Sequence, residues 1–270
     1  MPEIIMNKEN EINKRKGFQI IGDIVLIKLS GNKNEKRNVA LRILEKLPYV
    51  KTVCEIKAVE GEFRRPKTRI LASREKHPDF VAIKKEHGIF YKLDVRNIMF
   101  SKGNLLERQR LIKHIHSGEV VLDMFAGIGY FSLGIGKLSP VKKVYAVEKN
   151  KMAYKFLKEN IRLNKVRNNR PILGDCRRVK NKIKADRIIM GYLPNTQQYL
   201  PYAFKYLKKR GVIHYHNIYK EEELWKKPLE ELENAAKKKG FKLVSVFNRK
   251  IKSYAPRIYH VVIDAEFFKN

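Results

Sequence analysis

The sequence predicts an α/β fold: a doubly wound, mostly parallel sheet closed by an antiparallel terminal hairpin, with a smaller α+β domain in front. Three observations carry this. From about residue 99 onward, short apolar runs alternate with helical stripes through five strand–helix units. Two adjacent strand-like runs, 242–247 and 258–265, then end the chain with no helix between them. Between the first strand and the helix after it stands a glycine turn, Asp123-Met124-Phe125-Ala126-Gly127-Ile128-Gly129, of the kind that brings backbone close to a ligand.

Taken in order, residues 1–98 read as the α+β domain. Gly22-Asp23 leads into a strand at Ile24 to Ile27. Val39, Leu41, Ile43, Leu44 and Leu47 form a helical stripe over 33–47, which Pro48 ends. Short strand-like runs follow at 52–56, 69–72, 80–83 and 89–94. The basic stretch Glu62-Phe63-Arg64-Arg65-Pro66-Lys67-Thr68-Arg69 reads as a loop between two of them. Residues 99–270 form the second domain. Its helices are expected at 105–116, 129–137, 152–163, 196–208 and 221–239, and its strands at 119–124, 143–148, 171–173, 185–190 and 211–215, before the closing pair.

Lys and Arg number 59 against 28 Asp and Glu, a formal charge of +31. With 43 % hydrophobic residues the chain can still build a core, which excludes a wholly disordered polycation. Such an excess destabilises a compact state by self-repulsion, and its usual partner is a polyanion: nucleic acid first, an anionic membrane surface second. Cys54 and Cys176 are the only cysteines. That excludes a disulfide framework and a zinc knuckle, and fits a reducing, cytoplasmic setting. Residues 1–16 are polar and charged rather than a leader peptide, and no apolar run approaches the roughly 18 residues of a membrane span.

Acids stand at the ends of the first three strands of the second domain: Asp123, Glu148 25 residues later, and Asp175 27 residues after that. In a doubly wound sheet these tips line one ligand crevice, where Glu148 suits the two hydroxyls of a ribose and Asp175 the exocyclic amine of adenine. The dinucleotide fingerprint is broken, because Ser132 stands where a third glycine is needed. An Asp before the turn would also repel a pyrophosphate. It suits a cationic nucleoside, which points to S-adenosyl-L-methionine rather than a nicotinamide cofactor. An RNA-binding module without chemistry would share the charge and the sheet but has no use for the three acids.

Four segments carry a family resemblance: MFSKGNLLERQR (99–110), DMFAGIGYFSL (123–133), ADRIIMGYLPNT (185–196) and KSYAPRIYHVVID (252–264). They resemble the archaeal and eukaryotic tRNA methyltransferase-like family that modifies position 37, beside the anticodon. The resemblance implies a class I methyltransferase-like, Rossmann-type catalytic domain and an RNA-side domain in front of it. One branch consists of guanine-37 N1-methyltransferases. The other transfers the 3-amino-3-carboxypropyl group of the same cofactor to C7 of 4-demethylwyosine in tRNA-Phe, a step of wybutosine synthesis. Met190-Gly191-Tyr192-Leu193-Pro194 has Gly-Tyr where the methyltransferases carry Asn. Lys102-Gly103-Asn104 replaces their Pro-Arg-Leu, and Tyr130 replaces a Pro. All three departures resemble the aminocarboxypropyl branch; the N1-methyltransferase is the alternative reading.

The expected cofactor contacts are Ser101, Arg108, Asp123, Phe125, Ala126, Gly127, Glu148, Asp175 and Cys176, with Arg108 on the carboxylate and Ser101 on the same carboxylate or the amino group. Arg108 and Tyr192 are the candidates for positioning the reactants, Tyr192 by stacking on the base. Arg64, Arg65, Lys67 and Arg69 are the expected tRNA contacts, with Phe63 beside them. The resemblance implies the tRNA-Phe anticodon loop as partner; a monomer and no metal are also expected. Asn104 and Glu107 have the spacing of a capping box, and Asp186 is expected to cap its strand or pair with Arg187. His214 and His216 can share one strand face as a buried or hydrogen-bonded pair rather than a metal site, and His260 lies inside a strand.

Overall fold

The computed structural model describes residues 18–62, 64–100, 104–179 and 182–270. The chain divides into two compact units, Met1–Phe100 and Ser101–Asn270. In the first, β1 (Phe18–Ile21), β2 (Ile24–Ile27), β3 (Thr52–Glu60) and β4 (Arg65–Ser73) form one sheet in that order. The hairpin β5 (Val81–Glu86) and β6 (Ile89–Asp94) is a separate two-stranded sheet. Helix α1 (Lys33–Lys46) starts with a complete capping box: Asn32 accepts from the Asn34 and Glu35 N–H groups, and Glu35 accepts from the Asn32 N–H. Its apolar stripe, Ala40, Ile43 and Leu44, packs with Val25, Ile27 and Val53.

The basic stretch 62–69 is not a loop throughout. Strand β4 begins at Arg65, so Arg65, Lys67 and Arg69 alternate along one strand face opposite β3. The charged side chains hid a strand whose other face is only partly covered.

In the second unit the strands are β7 (Val120–Asp123), β8 (Lys143–Glu148), β9 (Asn169–Leu173), β10 (Ala185–Met190), β11 (Leu207–Lys220), β12 (Lys242–Ala255) and β13 (Ile258–Phe268). Their spatial order is β12-β13-β11-β10-β7-β8-β9. The five strands β9, β8, β7, β10 and β11 run parallel, and β13 and β12 add an antiparallel edge. The chain leaves β7 for β8 on one side and reaches β10 on the other. The crevice at the carboxyl ends of β7 and β10 is therefore the topological switch point, where such sheets bind ligands.

The helices are α2 (Leu105–Lys113), α3 (Ser132–Leu138), α4 (Lys151–Leu163), α5 (Leu200–Tyr206) and α6 (Lys226–Lys237). Helix α3 starts at Ser132 rather than at 129, since Gly127 and Gly129 hold φ of +58° and +102°, outside the helical region. The expected helix 221–239 is split. Residues 221–223 form a 3₁₀ turn, Trp225 sits at φ +69°, and α6 begins after it. Strand β11 is 14 residues long, far beyond the expected 211–215, because β13 pairs with it from Arg210 to Lys220. The main core lies between the sheet and α5 and α6, around Ile188, Phe204, Ile213, Leu232, Ile263 and Phe267.

Candidate active site

Strand β7 is apolar up to its last residue, so Asp123 is carried into the interior and is fully buried. Its Oδ1 accepts from the Phe125 N–H at 3.2 Å, while Oδ2 is buried with no hydrogen-bond partner among the described residues. Burial, helped by the nearby Glu148, pushes the carboxyl up to about 7. A buried acid with a free oxygen fits a cation: an ammonium or a sulfonium would supply the missing partner and restore full ionisation.

Glu148, at the tip of β8, ties the turn to its neighbours. Its Oε2 accepts from the Gly127 N–H at 2.7 Å and its Oε1 from the Asn150 N–H at 2.6 Å. Each oxygen retains capacity for a further donor such as a ribose hydroxyl. Gly129 is needed for close packing: a Cβ there would lie 2.5 Å from the Leu133 side chain and 3.2 Å from Leu157. The third tip is joined to the second by the Gly174 N–H donating to the Glu148 carbonyl at 2.9 Å. Asp175 then accepts from the Arg177 N–H at 2.9 Å and from its guanidinium at 2.6 to 3.1 Å, which holds the carboxylate below its ordinary range. Asp123, Glu148 and Asp175 are thus brought to adjacent tips as expected. Cys176 is buried, with its thiol pushed up to about 12, and its carbonyl accepts from the Tyr206 hydroxyl at 2.8 Å.

Beside the acids stands an aromatic cluster. Tyr192 is stacked on Phe125 with ring centroids 5.1 Å apart, and Tyr199 meets both rings edge-on at 5.7 and 4.8 Å. The Arg177 guanidinium lies over Tyr199 at 5.5 Å. Tyr199 and Arg177 are the members that sequence reasoning missed at this site. Tyr199 belongs to a 3₁₀ turn (Thr196–Tyr199) that reads in sequence as the start of an amphipathic helix. Gly191 has no room for a side chain: a Cβ would come 2.8 Å from the Phe131 ring. Thr196 donates its hydroxyl to the Tyr192 carbonyl and fixes the loop.

Ser101 lies outside the described residues, as does Phe63. Arg108 is buried in the first turn of α2. The capping box expected there is absent: Asn104 makes no side-chain cap bond, and the buried Glu107 instead accepts from Arg110 at 2.6 and 2.9 Å. Asp186 does not pair with Arg187. It accepts from the Val120 N–H at 2.8 Å and pairs with Lys208, while Arg187 reaches Glu119 at 2.9 Å. His214 and His216 are both buried on one face of β11, but they do not bond to each other. His214 bonds Asp264 and Arg187; His216 contacts His260 at 3.2 Å.

In the first unit, Arg64 precedes β4 at φ +50° and Arg65 is exposed. Lys67 pairs with Glu60 at 2.7 Å, and Arg69 with the buried Glu55 at 2.6 Å. No group of three His, Cys, Asp or Glu side chains suited to a metal occurs among the described residues. No helix among them is long and apolar enough to cross a membrane.

The family model of the TRM5/TYW2 methyltransferase domain matches residues 82–244, and that of the TYW2 N-terminal domain matches residues 3–75. The chain is 46 % identical to the tRNA(Phe) (4-demethylwyosine(37)-C(7)) aminocarboxypropyltransferase of Methanocaldococcus jannaschii, over 93 % of this chain and 97 % of that one. It is 39 % identical to the tRNA (guanine(37)-N(1))-methyltransferase Trm5b of Pyrococcus abyssi, over 92 % of this chain and 73 % of that one. The crystal structure of Pyrococcus horikoshii TYW2 in complex with MeSAdo is similar at TM-score 0.82 and 36 % identity, covering 98 % and 99 % of the two chains.

Proposed function

The chain belongs to the family of the TRM5/TYW2 methyltransferase domain, and we infer that within it this protein is an aminocarboxypropyltransferase. It moves the 3-amino-3-carboxypropyl group of S-adenosylmethionine to C7 of 4-demethylwyosine at position 37 of tRNA-Phe. The donor supplies an electrophilic Cγ: C7 forms the new bond, the Cγ–S bond breaks onto sulfur, and the base then loses its C7 proton. Methylthioadenosine is what remains of the donor, which agrees with the MeSAdo held by the similar structure.

The observation that carries the choice of branch is the fourth strand tip. The guanine-37 N1-methyltransferases carry Asn there, a side chain that can hydrogen-bond the guanine edge and orient its N1. Here Gly191 is closed off by Phe131 and Tyr192 offers an aromatic face stacked on Phe125. The match of residues 3–75 to the TYW2 N-terminal model supports the same branch.

In this reading Asp123 faces the cationic part of the donor, Glu148 its ribose, and Asp175 and Cys176 the adenine edge. The Phe125, Ala126 and Gly127 backbone lines the crevice, and Ser101 and Arg108 take the carboxylate. Since both oxygens of Asp175 are engaged by Arg177, adenine shares or displaces that guanidinium. Catalysis is then positioning and charge management rather than proton abstraction by a dedicated base. The tRNA-Phe anticodon loop is the partner, with base 37 leaving its stack to reach the strand tips. Arg64, Arg65, Lys67 and Arg69 serve its backbone, Lys67 and Arg69 by exchanging Glu60 and Glu55 for phosphate. The enzyme acts as a monomer in the cytoplasm without a metal.

The test is product identity. The protein is incubated with tRNA-Phe carrying 4-demethylwyosine and with donor labelled separately in its methyl and aminocarboxypropyl groups. Methylthioadenosine should accumulate, and the tRNA should gain the aminocarboxypropyl label only. Adenosylhomocysteine with methylated tRNA would overturn the reading.

Tyr192 gives a second prediction. Tyr192→Ala should lower kcat/KM for tRNA by roughly 10- to 100-fold, the range set by one base–aromatic stack of about 1–3 kcal/mol. Tyr192→Phe should keep most of the activity. Donor affinity measured by calorimetry should change less than about threefold, the size of an indirect effect well under 1 kcal/mol.

A further inference from the structure

At the amino end of β10 and β11, opposite the strand tips, the second unit holds a cavity of about 760 Å³. Six ammonium groups surround it: Lys184, Lys205, Lys208, Lys209, Lys239 and Lys269. It is also lined by Phe204, Leu207 and Phe241, all buried, with the Lys269 ammonium 5.5 Å from the Phe241 ring centre, and by the half-buried Tyr202. Among the described residues, Lys208 alone of the six has a carboxylate partner, Asp186. The Lys184 ammonium donates to the Lys205 backbone carbonyl at 3.0 Å.

Five lysines without a carboxylate partner around one hollow repel each other and destabilise the fold unless an anion answers them. The half-buried Tyr202 in the lining narrows what that anion is. An acidic peptide would offer carboxylates but little that is flat, whereas a nucleotide unit offers a phosphate for the lysines and a base for that ring. The chain's own substrate class supplies such units. β10 is six residues long, so the cavity lies about 17 Å from the strand tips at about 3.3 Å per residue.

We propose that this lysine-rimmed cavity is a second RNA site, which holds a phosphate and its adjoining base from a part of the same tRNA remote from the target base. The proposal rests on the protein being a tRNA-modifying enzyme. The site anchors the tRNA while the strand tips work on position 37. It adds affinity and registration, not chemistry.

The test uses the full chain and an unmodified tRNA-Phe transcript. Four of the five exposed, carboxylate-free lysines are reversed together in the variant K205E/K209E/K239E/K269E. The dissociation constant for tRNA should rise at least 30-fold at 0.1 M salt. The slope of log affinity against log salt should become shallower by about 2 to 3, as expected for losing three or four phosphate contacts at about 0.7 each. Donor affinity should stay as in the parent, which also reports that the variant is folded. Independently, in the unaltered protein, tRNA should protect these four lysines from amine acylation, read by mass spectrometry, and free AMP should protect them far less. Unchanged tRNA affinity with unchanged salt slope, or full acylation in the presence of tRNA, would overturn the proposal. The product assay above is read separately on the unaltered protein. Failure of the functional reading appears there as adenosylhomocysteine, and failure of the second site appears only in binding and protection.

Discussion

Replacing Asp123 by Asn should make the protein more stable without ligand and nearly unable to bind its donor. The carboxyl is fully buried, one oxygen has no partner, and burial pushes its pKa up to about 7. An unfolded Asp titrates near 3.8. The folded state therefore holds the proton more tightly, and folding stability falls as pH rises from about 4 to about 7, then levels off. At about 1.4 kcal/mol per tenfold in proton affinity, the ceiling of that cost at pH 8 is about 4 kcal/mol. Asn cannot ionise. Below about pH 4 parent and Asp123→Asn should melt alike, and above pH 7 the variant should be the more stable by a few kcal/mol. Thermal melts from pH 4 to 8 in the absence of donor give this directly. A gap that is absent or reversed at pH 8 would sink the argument.

Donor affinity should move the other way. A buried ammonium or sulfonium deprived of its carboxylate costs about 3–5 kcal/mol, so affinity should drop by 100-fold or more in Asp123→Asn. In the parent, affinity should rise about tenfold from pH 6 to pH 7.5 as Asp123 gives up its proton, and the variant should show no such rise. Calorimetric titration at both pH values separates the two. The strand tip thus carries a stability deficit that binding repays, a usual feature of preorganised charge sites.

The three acids were legible because spacing alone places them. Apolar runs ending in Asp123 and Glu148, about 25 residues apart, force adjacent tips in a doubly wound sheet. Asp175 follows the same rule. The Arg177 clasp on Asp175 and the Tyr199 edge contacts were not legible. They depend on side-chain directions out of two 3₁₀ turns, Cys176–Arg178 and Thr196–Tyr199, and periodicity says nothing about turns of three or four residues. The capping box at Asn104 failed for a different reason. Its Glu107 has the right spacing, but the half-buried Arg110 three residues on competes for the same carboxylate and wins with two hydrogen bonds. Strand β4 was half missed because its exposed residues are basic and its partner acids, Glu55 and Glu60, lie on β3, too far away in sequence for a local pattern to find.

Arg110→Met should be the most destabilising single change outside the apolar core. Arg110 joins Glu107 on its own helix to Asp264 on β13. Asp264 bonds His214, His214 bonds Arg187, and Arg187 closes on Glu119. This chain pins helix α2, which carries Arg108, to three neighbouring strands of the sheet. The arginine side chain is 10 % exposed and those of its two acids 1 % and 13 %. Removing the guanidinium leaves two buried carboxylates facing one another, a loss of about 3–5 kcal/mol. For a unit of this size that lowers Tm by about 6–20 °C.

The pH dependence distinguishes this mechanism from simple loss of packing. In the parent, burial raises the Asp264 carboxyl, but His214 and then Arg110 outweigh it and hold the group well below the usual carboxylate range. Its share of stability is present above pH 4 and is lost as pH falls further. In Arg110→Met the same acid, with Glu107 beside it, takes up a proton near or above pH 4 and so relieves the repulsion. The deficit of the variant should therefore shrink steadily between pH 7 and pH 4. A deficit constant across that window would mean that the methylenes of Arg110 matter and its charge does not. Adding Glu107→Gln and Asp264→Asn to Arg110→Met should recover part of the loss at pH 7, since amides tolerate burial beside a thioether where two anions do not.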